Sequence, residues 1–218
     1  MPEELKKIMV VVKIDLAKRL SPSRTALIII DIQNDFCHSG GGFAMMGHDV
    51  SKLQTVVEPV KLVSDTARKL SVPVIFIQTE HDRTNNSEAW LQRADWGPNS
   101  PLCQTDTWGA DLYSLKSQES DIVVIKHRYS AFAGTSLEQV LRSLQRDSLL
   151  FTGLTTSICV DSSLRDGLMR DFHVALLADG CAELSPEKHN FTLDIVQNYF
   201  GPVLSSSEVL DIWMPESG

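Results

Sequence analysis

Residues 149–177 read LLFTGLTTSICVDSSLRDGLMRDFHVALL, and this stretch decides the fold. Leu149 to Phe151 form a short apolar run, and Val160, Leu164, Gly167 and Leu168 then recur at helical spacing. Val174 to Leu177 form a second apolar run. A strand, a helix and a strand of these lengths make a βαβ unit, whose two strands run parallel and whose crossover is right-handed.

Reading outward, the same alternation recurs. Apolar runs rich in β-branched residues stand at Ala26 to Ile30, Val74 to Ile77 and Ile122 to Ile125. Near-continuous runs of this kind suit strands buried on both faces of a parallel sheet. Between them, Val56, Val60, Val63, Ala67 and Leu70 share one helical face, as do Leu137, Val140, Leu141 and Leu144, and later Phe191, Ile195, Val196 and Tyr199. A short strand around Pro202 to Ser205 and a helix from Glu208 complete the series. The predicted fold is a three-layer α/β/α sandwich around a mostly parallel sheet of about six strands. It forms one domain over residues 1–218, with 1–22 as an N-terminal extension. The stretch from Glu80 to Tyr113 reads as irregular, with three tryptophans and many polar residues, and is expected to supply substrate loops.

Composition narrows the function. With 43% hydrophobic and 22% charged residues the chain is an ordinary globular one, and its formal net charge of −8 argues against a nucleic-acid partner. The basic pairs Lys6-Lys7 and Lys18-Arg19 are too small to change that. Ile8 to Val12 is too short before Lys13 for a signal-peptide core or a membrane span, so a cytoplasmic protein with no membrane partner is expected. Cysteines at 37, 103, 159 and 181 show no CxxC pairing and read as free thiols.

In a parallel sheet, ligands bind outside the carboxyl ends of the strands. Three chemically capable groups arrive there. Asp31 closes the first strand, and a carboxylate in that place must be paired or poised for chemistry. Alone, it reads equally well as a structural acceptor for backbone amides. Asp35 reads as a turn or helix-capping residue. Lys126 closes the third strand; alone, it reads more readily as a surface lysine. After the fourth strand, small and polar residues lead to Cys159 at a helix start, where free N–H groups and the helix dipole favour a thiolate and can receive an oxyanion. Cys37, Cys103 and Cys181 read as packing residues. Their joint placement raises Asp31, Lys126 and Cys159 above these single readings: an acid, a cation and a thiol meet at one edge of one sheet.

Three blocks, LIIIDIQNDF (27–36), KHRYSAF (126–132) and TGLTTSICVDSSLRDG (152–167), resemble those of the isochorismatase-like cysteine hydrolases. That family includes nicotinamidases, N-carbamoylsarcosine amidases and ureidoacrylate amidohydrolases. The likeness runs from about Ser23 to Trp213. It implies a catalytic triad of Asp31, Lys126 and Cys159, a cis peptide between Leu154 and Thr155, and an oxyanion hole formed by the amides of Thr155 and Cys159. It further implies a homo-oligomer, a dimer or tetramer. KHRYSAF, the TWG at 107–109 and the pattern from Glu187 to Phe200 look closest to the ureidoacrylate and carbamoyl amidohydrolase side.

The expected activity is cysteine-dependent hydrolysis of a C–N bond in a small amide, carbamoyl or ureido substrate, through a thioester and with release of ammonia. Gln33, Trp90, Trp108 and Tyr129 are candidate substrate contacts because they lie in or beside strand-end loops, and each could equally pack. Two alternatives remain: a metal-dependent amidase of the nicotinamidase type, or a non-catalytic scaffold. The nicotinamidase branch resembles a metalloenzyme with an Asp-x-His pair. FIQTEHDRTNNSEAW (76–90) lacks that pair, so neither metal nor cofactor is expected, and His81 reads as a solvent or substrate-loop residue. DIQND could also suggest an aspartate-nucleophile phosphatase, but Gln33 removes the second metal-binding carboxylate. True isochorismatases cleave a vinyl ether without a nucleophilic cysteine, which Cys159 argues against.

Overall fold

A computed structural model describes residues 15–93 and 102–215. The apolar run at 8–12, most of the expected N-terminal extension and Trp96 lie outside the described residues.

Six strands form one sheet: β1 (Thr25–Ile30), β2 (Val74–Thr79), β3 (Ile122–Lys126), β4 (Ser148–Leu154), β5 (His173–Ala182) and β6 (Val203–Leu204). Every pairing is parallel and the order is β3-β2-β1-β4-β5-β6. β1 is buried along its whole length, as its unbroken apolar run requires. Its side chains alternate between two cores. Leu27 and Ile29 face one side, with the buried stripe of α1 (Val57–Lys69). Ala26, Ile28 and Ile30 face the other, with α2 (Leu137–Ser143), α3 (Asp161–Leu168) and α4 (Pro186–Tyr199). The last helix, α5 (Ser206–Trp213), returns to the first side through Val209 and Trp213 and carries a capping box from Ser205 to Glu208.

The sheet is therefore wholly parallel rather than mostly so. Strand order reverses between β1 and β4, and such a reversal opens a crevice at the carboxyl ends. Asp31 follows β1 and Cys159 follows β4, so both sit at that switch point. At its end β4 approaches β1 closely. Gly153 adopts φ +116, and a Cβ there would run into the Ile30 carbonyl, so only glycine fits.

Two segments differ from expectation. The end of the predicted extension is built into the fold: Leu20 is buried and its carbonyl accepts the Trp213 indole N–H at 2.9 Å. The region after β2 is less irregular than its composition suggests. It holds a helical turn at Glu88–Leu91, a 3-10 turn at Trp108–Ala110 and isolated bridges Gln33–Leu112 and His81–Gln104. No helix among the described residues is long and apolar enough to cross a membrane.

Candidate active site

Five strand ends deliver polar groups to one crevice: Asp31 after β1, Thr79 on β2, Lys126 on β3, the 155–159 segment after β4 and Glu183 after β5. Together they line a cavity of about 710 Å³.

Asp31 and Lys126 are each 1% exposed, and the Lys126 ammonium lies 2.8 Å from Asp31 Oδ2. Nζ also donates to Thr79 Oγ1 at 2.6 Å, to the Arg128 carbonyl at 3.1 Å and to Cys159 Sγ at 3.4 Å. Thr79 in turn donates to Asp31 Oδ1 at 3.0 Å. Oδ2 thus has the ammonium charge beside it but no aligned hydrogen-bond donor among the described residues. Burial would lower the lysine's pKa, but the Asp31 carboxylate beside it raises it, so the ammonium is kept. A buried pair of this kind holds together because neither charge has water to return to.

Cys159 lies within a wide helical turn, Thr156–Val160, which runs directly into α3. The placement agrees with a helix start. Burial pushes the thiol up, the Lys126 ammonium pulls it down, and the charge of Asp31 adds to the rise. Desolvation opposes the helix N-terminus here, which gives a base beside the sulfur a task. The Leu154–Thr155 peptide is cis, and Thr155 and Cys159 both line the cavity.

Glu183 fastens this turn. Its Oε2 accepts from Ser157 Oγ at 2.6 Å and from the Ser157 amide at 3.2 Å, while Oε1 accepts from the Leu184 amide at 3.0 Å. Neither Thr79 nor Glu183 was singled out from sequence. Thr79 ends β2 and Glu183 follows β5 in the structure, two and six residues beyond the apolar runs that marked these strands.

The four candidate contacts separate into two pairs. Trp90 and Tyr129 line the cavity with ring centroids 4.8 Å apart. The Arg93 guanidinium sits 3.6 Å from the Trp90 centroid and donates to Tyr129 Oη at 2.9 Å. Arg128 lies 4.9 Å from the same Trp90 ring and also lines the cavity. Gln33 is instead sealed in the interior. Its amide donates to the carbonyls of Thr79 and Ala110 at 2.9 and 2.7 Å and accepts from the Thr79 amide at 2.9 Å, so it clamps β2 beside the site and is spent on backbone. Trp108 lies outside the cavity lining, 51% exposed, with its ring edge-on to His38 at 4.9 Å.

Of the two readings of His81, the substrate-loop one fits its position. It is half-buried in the cavity wall beside Trp90, and burial drops its pKa to about 4. Asp82 turns away from it to hold its own loop, accepting from the Thr84 amide at 2.6 Å and the Asn85 amide at 3.2 Å. Among the described residues no three His, Cys, Asp or Glu side chains gather as metal ligands. With Asp82 spent on its own loop, these donors do not fit a metal of the nicotinamidase kind.

The other cysteines pack. Cys37, Cys103 and Cys181 are buried and unpaired, and burial pushes the thiols of Cys37 and Cys181 up to about 12. Asp35 is a buried acceptor as expected: Oδ1 takes the Gly42 amide at 3.0 Å, at the start of a helical turn, and Oδ2 takes the Cys103 amide at 2.6 Å.

Residues 25–208 match the isochorismatase domain. Ureidoacrylate amidohydrolase RutB of Pseudomonas savastanoi pv. phaseolicola is 32% identical over 219 residues, covering 90% of this chain and 86% of that protein. The crystal structure of a cysteine hydrolase from Pseudomonas syringae pv. phaseolicola superposes with a TM-score of 0.78 at 25% identity, over 88% of this chain and 92% of that one. N-carbamoylsarcosine amidase from Thermoplasma acidophilum shares the fold, with a TM-score of 0.68 at 24% identity over 84% and 96% of the two chains.

Proposed function

The chain belongs to the isochorismatase family, and from that premise we propose that it is a cysteine-dependent amidohydrolase. Its substrate is a small amide, carbamoyl or ureido compound, cleaved at a C–N bond with release of ammonia. The observation that carries this reading is the buried Asp31–Lys126 pair set against Cys159, with an Asp31 oxygen that lacks an aligned donor. The 32% identical ureidoacrylate amidohydrolase supports the reaction class.

In the reading, Asp31 takes the thiol proton as Sγ attacks the planar carbonyl, so an S–C bond forms and the carbonyl π pair moves onto oxygen. The amides of Thr155 and Cys159 receive that oxyanion. Collapse breaks the C–N bond, and Asp31 returns the proton to the departing nitrogen, which leaves as ammonia. Asp31 then draws a proton from water, whose oxygen attacks the thioester carbon, and the proton goes back to sulfur as the S–C bond breaks. Lys126 stays charged throughout and steadies the anion on Asp31 or on sulfur in turn. Trp90 and Tyr129 flank the substrate, with Arg128 supplying positive charge for an acidic substituent.

The test is ammonia release from ureidoacrylate and simple amides. Cys159→Ala is expected to abolish it, and unchanged turnover in that variant would sink the nucleophile assignment. Wild-type activity is expected to survive exhaustive chelation, whereas loss restored by zinc or iron would favour the metal-dependent alternative.

A further inference from the structure

The cavity is larger, and much more apolar on one side, than the proposed chemistry needs. A volume of about 710 Å³ falls in the range that encloses drug-sized ligands, roughly 300–1,000 Å³. A short-chain acid carrying one ureido group would leave most of it empty. The triad, with Thr79, His81, Arg128 and Tyr129, lies on a polar side of this lining. Phe36, Phe43, Met46, Leu102, Leu154 and Leu184 also line the cavity, with His48 beside Phe43, and the triad reading gives these apolar side chains no task.

These side chains are an opening of the interior rather than scattered surface residues. Phe43, Leu102 and Leu154 belong to the core on the α1 side of the sheet, and Phe36 and Leu184 pack against it. Phe36 and Phe43 meet edge to face at 5.0 Å. The wall is also held in place: Asp35 binds the amides of Gly42 and Cys103, the residues adjoining Phe43 and Leu102. A fixed apolar wall does not collapse to fill the space beside it, so Met46 and the edges of Phe43 and Leu102 that reach the cavity stay in contact with water until an apolar group displaces it, while Leu154 backs them from the interior.

We infer that the substrate is an amide or ureide carrying an apolar group, of leucine or phenylalanine side-chain size, that seats against Phe36, Phe43 and Leu102. The inference rests on the amidohydrolase reading and adds the chemistry of the far end of the substrate. N-carbamoyl amino acids suit the test, because one carbon carries the carbamoyl group, a carboxylate for Arg128 and a side chain of chosen size.

The experiment measures ammonia release from N-carbamoylglycine, N-carbamoylleucine and N-carbamoylphenylalanine, with ureidoacrylate alongside. One methylene in an apolar pocket is worth about tenfold or more, so kcat/KM is expected to rise at least about tenfold from the glycine compound to the leucine or phenylalanine compound. Phe43→Ser is expected to bring that ratio back towards unity. Met46 is 38% exposed, so Met46→Asp tests the same wall with little risk to folding, and it is expected to narrow the ratio as well. A flat or falling series overturns the inference and leaves the amidohydrolase reading standing, as does turnover of ureidoacrylate alone. Release from none of the four compounds overturns the inference, and release from none of them nor from simple amides overturns both.

Discussion

Asp31 and Asp35 stand four residues apart in one loop, both buried, and their surroundings separate a chemical carboxylate from a structural one. Asp35 has each oxygen taken by a backbone amide, from Gly42 and from Cys103, and Gly109 packs so closely that a Cβ there would strike the carboxylate. It has nothing left to give. Asp31 holds one oxygen with the Thr79 hydroxyl, while the other faces an ammonium without an aligned donor. Burial alone does not tell the two apart; the count of satisfied lone pairs does.

The largest effect should come from breaking the Asp31 side. Asp31→Asn keeps shape and removes the base, and turnover is expected to fall by about 10³ or more, in line with the loss of a general base. The same variant should ionise Cys159 more readily. Asp31 now raises the thiol's pKa and Lys126 lowers it, so deleting the carboxylate charge leaves the ammonium's pull unopposed. Alkylation of Cys159 by iodoacetamide, followed against pH, should therefore set in at lower pH than in wild type while hydrolysis is lost. Alkylation shifted to higher pH would mean that Asp31 is not the group acting on the thiol.

Asp35→Ala should act on stability instead. It leaves two buried amide donors without acceptors, and each costs about 1–3 kcal/mol, so unfolding free energy is expected to drop by about 3 kcal/mol in a urea titration. The pH profile of Cys159 alkylation should stay where it was. A shifted profile without loss of stability would erase the distinction between the two carboxylates.

A smaller effect is expected at Glu183, whose grip on Ser157 lies between the two amides assigned to the oxyanion. Misplaced donors cost rate rather than binding. Glu183→Ala should lower kcat by about tenfold with KM little changed, and Glu183→Gln, which keeps one acceptor oxygen, should recover part of it. Equal losses in both variants, or a change confined to KM, would give Glu183 some other role.

The contrast between the carboxylates also explains how far the sequence could be read. Strands β1, β2 and β4 announced themselves because burial on both faces requires unbroken apolar runs, and Asp31 after β1, Lys126 at the end of β3 and Cys159 beyond β4 stood out where apolar runs stop. β5 was read as Val174 to Leu177, yet it extends over His173–Ala182 through Asp179 and Gly180. A polar interruption inside a strand looks the same as its end. The register shift between Phe151 and Gly153 has no apolar signature either.

Side-chain direction was the harder part. Gln33, Trp90, Trp108 and Tyr129 all border strand-end loops, but proximity in sequence does not say which way a loop residue points. Gln33 turned inward to backbone partners and Trp108 outward to His38, leaving Trp90 and Tyr129 in the cavity wall. The protonation of Cys159 was likewise out of reach, because it depends on desolvation set against two charges from distant strands. Thr79 and Glu183 lie two and six residues beyond the apolar runs that marked their strands, so the rule that picked out Asp31 and Lys126 passes over them.

The most direct test of the nucleophile is the mass of the enzyme quenched in acid during turnover of its slowest amide or ureide substrate. The expected result is a covalent adduct equal to the substrate less ammonia, located on the peptide that carries Cys159. An adduct on another residue, or none at all while Cys159→Ala continues to release ammonia, would contradict it.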